Sequence, residues 1–230
     1  IKPFLNPEEL QVRLTVFKGL QRYSEKLSMI MGNEQLDKFD KQTQDLGASL
    51  TSINEDLVKK QILKVQQVDA NEIRVFTTAV NTLGRWFIDY KRTKDVKVVI
   101  GDMQEPVSHI CDLLIKDIGM TRDDPGLRNQ LWNQYEQSMT AQDEFIQHSN
   151  LDPLSKRDEI KALIQLAVEQ KQADTTFEGI ETSLKKFKEA HAKLMEAFNE
   201  RTSIEIDNLI AQLTAEGERV KDFYDRLDRK

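Results

Sequence analysis

Apolar residues recur along most of this chain at alternating steps of three and four. Leu10, Leu14, Phe17, Leu20, Tyr23, Leu27 and Ile30 keep that rhythm, which lines one face of a helix. Leu36, Phe39, Thr43, Leu46, Leu50, Ile53 and Leu57 repeat it as a heptad seam, continued less regularly by Ile62 and Val65. Ile73, Phe76, Val80, Leu83, Phe87 and Tyr90 take it up again. The run 96–100 is the one strand-like stretch, but the wider set Val99, Met103, Val107, Ile110, Leu114 and Ile118 predicts a helix kinked at Pro106. Leu127, Leu131, Tyr135, Met139 and Ile146 predict a medium helix. Two further seams follow, one from Phe177 through Ile180, Leu184, Phe187, His191 and Leu194 to Phe198, the other from Ile206 through Ile210, Leu213, Gly217, Val220 and Tyr224 to Leu227.

Punctuation between these sets places the ends. Asn6 can accept a backbone hydrogen bond as an N-cap, Pro7 suits the first helical turn, and Gly32 suits the residue after the last, which predicts a first helix over 7–31. Residues 34–92 read as one very long helix or as two with a break near 68–70, where Asp69 and Glu72 can cap a fresh start. Residues 119–126 form a connection. Residues 149–153 form a turn in which Asp152 caps and Pro153 opens a helix. Beyond Pro153 there is no proline, and the polar stretch 199–203 is either a tight turn or a solvated helix surface.

Composition narrows the fold class. Nine glycines and five prolines in 230 residues are too few for the frequent turns of a sandwich or barrel. With 39% hydrophobic and 31% charged residues, long half-exposed helices fit and disorder does not. The chain is therefore read as all-α: a single elongated domain over 1–230, a bundle of three to five long antiparallel helices with coiled-coil-like packing.

Charge and chemistry exclude more than they select. The net charge is −6. Residues 1–119 are balanced, with 17 basic and 17 acidic side chains, so the acidic excess lies in the C-terminal half. No nucleic-acid partner is expected, because phosphate binding calls for a basic face. Cys111 is the one cysteine and sits in an apolar run, so a small buried hydrophobe is expected and no disulfide or cysteine zinc site. His109, His148 and His191 lie about 40 residues apart, with no His-Glu-x-x-His or Glu-x-x-His spacing, so no metal is expected. His191 holds a seam position between Phe187 and Leu194 and reads as a hydrogen-bonded core residue. No glycine-rich phosphate loop and no Gly-x-Ser-x-Gly elbow occur. No cofactor, no small-molecule substrate and no enzymatic activity are expected.

The segment 83–94 combines aromatic and basic residues. Leu83, Phe87 and Tyr90 share a core-facing side, while Arg85, Lys91, Arg92 and Lys94 lie largely elsewhere. Gly84 would allow a second helix to come close. Arg85, Trp86, Lys91, Arg92 and Trp132 are the candidates for partner contact.

Gly84-Arg85-Trp86-Phe87-Ile88 followed by Lys91-Arg92 resembles a stretch of uncharacterised helical proteins of the bacterial cell envelope, some of them lipoproteins, over about 80–118. The resemblance implies an exported chain whose lipid-bearing cysteine lies upstream of Ile1, in a periplasmic or envelope-anchored rather than cytoplasmic location, and it implies no activity. A chain opening on Ile1 also reads as processed or trimmed, so that the lack of a targeting peptide here does not argue for a cytoplasmic location.

Together these readings predict a non-enzymatic structural or interaction protein that presents long amphipathic faces to a protein partner or to a second copy. The rival is a membrane-acting helical protein such as a pore-forming toxin component, or a bundle associated with a membrane surface. Against it stands the lack of an insertion segment, since uncharged stretches such as 75–84 run to about ten residues where a span needs about 18. If the seams are buried, Leu50→Ala or Leu184→Ala lowers stability by about 2–5 kcal/mol in urea unfolding. A loss below about 0.5 kcal/mol at both positions means the seams face water.

Overall fold

A computed structural model describes residues 7–31, 41–53, 70–89, 96–119, 121, 126–200 and 203–228. Asn6, Gly32, Leu36, Phe39, Leu57, Ile62, Val65, Asp69, Tyr90, Lys91, Arg92 and Lys94 from the expectations above lie outside them. Among the described residues there are seven helices and no strand: α1 Pro7–Met31, α2 Lys41–Thr51, α3 Ala70–Asp89, α4 Val96–Ile118, α5 Leu127–His148, α6 Pro153–Glu200 and α7 Ser203–Asp228. The protein is an all-α helical bundle.

Two expectations about length are corrected. The seven helices exceed the three to five anticipated. Residues 34–92 do not form one helix, because α2 stops at Thr51 and Ile53 folds back to bond the carbonyl of Leu50. The new start at Ala70 does fall where the break was expected. Heptad spacing continues through Ile53 because it is still a core residue, 3% exposed, after the helix has ended. Periodicity therefore reports burial and overshoots the helix boundary.

Six helices close a cycle of packing around one core. α1 lies against α7, α7 against α6, α6 against α4, α4 against α3, α3 against α2, and α2 returns to α1. Leu50 and Leu184 are both fully buried. Phe17, Tyr23, Phe76, Phe87, Phe177 and Phe187 supply the largest buried apolar side chains of that core.

Where α2 meets α3 the backbones nearly touch. A Cβ on Gly84 would lie 2.8 Å from the Gly47 carbonyl oxygen and 2.9 Å from Leu50 Cβ, and one on Gly47 would lie 2.9 Å from the Gly84 carbonyl oxygen. Each glycine is the space the other helix occupies. At the far end of α4, Gly119 takes φ 84°, the left-handed conformation that ends a helix without a Cβ penalty.

A charged pair is sealed into this apolar setting. Arg13 of α1 bonds Asp117 of α4 through Nε to Oδ2 at 2.6 Å and Nη2 to Oδ1 at 2.7 Å. The two side chains are 0% and 1% exposed. A carboxylate in the last turn of a helix sits at the negative end of its dipole, so Asp117 is held there by the guanidinium rather than by the helix. Loss of either partner would remove the two-point ion pair from a buried charge, at a cost of about 3–5 kcal/mol.

The glycine contacts separate two outcomes. Gly84→Ala forces α2 and α3 apart and costs about 1–3 kcal/mol in urea unfolding. Gly101→Ala meets only Met195 Cε, at 3.6 Å, so its higher helix propensity leaves stability unchanged or raises it by up to about 1 kcal/mol.

Candidate functional site

Three polar side chains from three helices meet inside the core. His191 of α6 takes Gln104 Oε1 of α4 at 3.0 Å on its Nδ1 side and the Tyr23 hydroxyl of α1 at 2.8 Å on its Nε2 side. An amide oxygen only accepts, so Nδ1 carries the proton; Nε2 then accepts from Tyr23. His191 is 1% exposed, and burial pushes its pKa from 6.5 down to about 4. The ring is neutral at physiological pH. Burial also pushes the Tyr23 phenol up. Trp86 packs edge-on against Tyr23, with ring centroids 5.2 Å apart. Both nitrogens of His191 are engaged by protein groups, which fixes the relative heights of α1, α4 and α6.

Gln104 also faces outward. It lines an open groove of about 680 Å³ between α3 and α4, with Met195 of α6 contributing to the lining. Arg74, Thr78 and Thr82 face it from α3, and Asp102, Glu105 and His109 from α4. Pro106 lies within α4 and has no N–H, so the Asp102 carbonyl in this groove lacks its helical donor.

A different surface lies at the other end of α6. This helix has 48 residues, whereas α5 has 22 and α7 has 26. Its described buried residues begin only at Gln170. Before that point its neighbour is α5, and the two form a hairpin arm about 30 Å long. Arg128 bonds Asp174 at 2.6 Å and Glu178 at 2.7 Å at the root. Gln170 reaches the Trp132 carbonyl, and Gln142 reaches Glu159 nearer the tip. These pairs rise on one helix as they fall on the other, so α5 and α6 are antiparallel and in register. Asp152 caps α6 at the tip by accepting from the Ser155 hydroxyl and from the backbone N–H groups of Ser155 and Leu154, and these bonds, the hydroxyl first, hold its carboxyl below the usual range.

The side of α6 turned away from α5 is apolar along the arm. Ile160, Ile164 and Val168 are 42%, 58% and 44% exposed, and Leu154 nearer the tip is 71% exposed. The same geometric line continues along α6 as Lys171, Thr175, Thr182, Lys186, Glu189 and Lys193, also exposed. Position on the outside of the bundle is shared by all of these residues. Apolarity belongs to the arm alone.

The sequence-derived candidates are dispersed. Arg85 is exposed on α3, and Trp86 is half-buried next to it against Tyr23. Trp132 lies at the root of the arm, its indole N–H donating to Glu136 at 2.6 Å. Lys91 and Arg92 lie outside the described residues. Trp86 and His191, singled out for separate reasons, meet through Tyr23. Cys111 is fully buried, as its apolar run implied, and burial with the nearby Asp112 charge pushes its thiol up. The stripe on α6 was not singled out, although residues 160–168 hold Ile160, Leu163, Ile164, Leu166 and Val168, more apolar positions than one seam uses.

Among the described residues no three His, Cys, Asp or Glu side chains converge as metal ligands, and no helix is long and apolar enough to cross a membrane. No protein-family model, curated protein or solved structure matches the chain.

The buried histidine gives stability a defined pH dependence. Between pH 6.5 and about 4 the unfolded chain takes up a proton that folded His191 refuses, so its contribution falls as pH falls and levels off below about 4. Compared with His191→Gln, the wild-type protein should lose about 3 kcal/mol of relative stability across that window, read from urea midpoints at each pH.

Proposed function

We propose that this protein is a non-enzymatic interaction module that uses the α5–α6 arm as its contact element. The observation that carries this reading is the exposed line Ile160, Ile164 and Val168 on α6. Soluble chains seldom leave a row of large β-branched side chains in water along one helix face, and such rows mark surfaces that another molecule covers. The rest of the outer line of α6 is polar, as a face left in water should be. An arm standing clear of the bundle can be covered without disturbing the core, and its root is pinned by Arg128, Asp174 and Glu178. The groove between α3 and α4 supports a contact role less well, because it is open and its lining is mixed in charge.

Site-specific photocrosslinking in the native host tests the reading. A benzoyl-phenylalanine at position 164 should give discrete protein adducts on irradiation, and one at the polar position 186 on the same line of α6 should not. Equal labelling at both positions, or none at 164, would end the proposal.

A further inference from the structure

The charges around the exposed stripe identify what covers it. At about 100° per residue, Ile160, Ile164 and Val168 fall within about 80° of arc. Arg157 and Lys171 lie on the same line, one beyond each end, about 21 Å apart. Lys156 and Lys161 flank the line. The carboxylates of this stretch, Asp158, Glu159 and Glu169, fall to the sides and back, where Gln142 of α5 bonds Glu159 and Lys161 bonds Asp158. Among the described residues neither Arg157 nor Lys171 has an ion-pair partner. In a protein of net charge −6, this is a narrow apolar seam with a cation at each end and no anion on its outer half.

Three occupants can be weighed on that pattern. A second copy is disfavoured by its own charges. Antiparallel pairing about Ile164 sets Arg157 against Lys171 of the copy, and parallel pairing sets Arg157 against Arg157, so either arrangement opposes like charges. A membrane surface suits a broad apolar face rich in aromatic residues. Here the face is narrow, has no aromatic in line, and would drive Arg157 and Lys171 toward hydrocarbon. A partner helix suits both features, because a seam this narrow is what one helix presents to another.

Resting on the proposed contact role of the arm, we infer that the occupant is an acidic amphipathic helix of a partner protein: a seam of three turns of apolar side chains with Asp or Glu at both ends, laid along α6 over 157–171. Its side chains fill the spaces between Ile160, Ile164 and Val168, and its carboxylates meet Arg157 and Lys171.

The test uses the full chain and two synthetic helices of three heptads, each with Leu at a and d, one with Glu at e and g and the other with Lys. Fluorescence anisotropy should show the Glu peptide binding at least about tenfold more tightly than the Lys peptide, with affinity falling as salt rises. Ile164→Asp should abolish binding of both. Arg157→Glu combined with Lys171→Glu should reverse the preference. Circular dichroism verifies that these exposed substitutions leave the helices intact. No binding, equal binding or preference for the Lys peptide overturns the inference. So does sedimentation of the wild-type chain with phosphatidylglycerol vesicles, or its dimerisation in the ultracentrifuge, if Ile164→Asp abolishes either. Adducts at position 164 without an acidic preference would leave the contact role standing and remove only this partner chemistry.

Discussion

A helix of 48 residues cannot be covered along its whole length by neighbours half as long. That mismatch in α6 governs the molecule. Its C-terminal part is flanked by α4 and α7 and contributes Phe177, Ile180, Leu184, Phe187 and Leu194 to the core. Its N-terminal third has α5 for company, and a two-helix hairpin can hide only one side of each member. A line of Ile and Val on the uncovered side is therefore left in water by the packing of the described helices, which is why the proposed contact role is assigned to it.

The core is organised by a few polar contacts set among many apolar ones. Arg13 with Asp117, and Tyr23 with His191 and Gln104, each join α1 to helices distant in sequence. Apolar packing tolerates sliding by a turn, because one Leu or Phe fits the space of another nearly as well. A buried guanidinium or imidazole does not, since displacement leaves it without its partner and the desolvation cost is unrelieved. These contacts thus select one register from the several that the seams alone would accept. Gly47 and Gly84 select by shape, because α2 can approach α3 closely at that one height.

Charge works differently inside and outside. Buried ions are matched at close range, as at Arg13 and Arg128. On the arm Arg157 and Lys171 stand exposed at the ends of an apolar seam, a placement that in the proposed contact would discriminate among partners more than it adds affinity. The acidic balance of the whole chain makes that local patch distinct, and a description by net charge averages it away.

Much of the fold was legible in the residues themselves. The all-α class, the start of α1 at Pro7, the Asp152 cap, the helix over 96–118 and the burial of Leu50, Leu184, Cys111 and His191 all follow from spacing, capping chemistry and composition, which act within a few residues. The end of α2 at Thr51 did not, because Ile53 keeps the apolar rhythm after the helix has stopped. The exposed stripe is illegible for a related reason: Ile160, Ile164 and Val168 have the spacing of any core face, and only the packing of neighbours leaves them in water. The sequence by itself determined which residues would seek burial and which form the chain would take to bury them. Only the tertiary structure decided which of those faces found a cover, because burial depends on what packs alongside, and α6 outruns the described helices that lie against it.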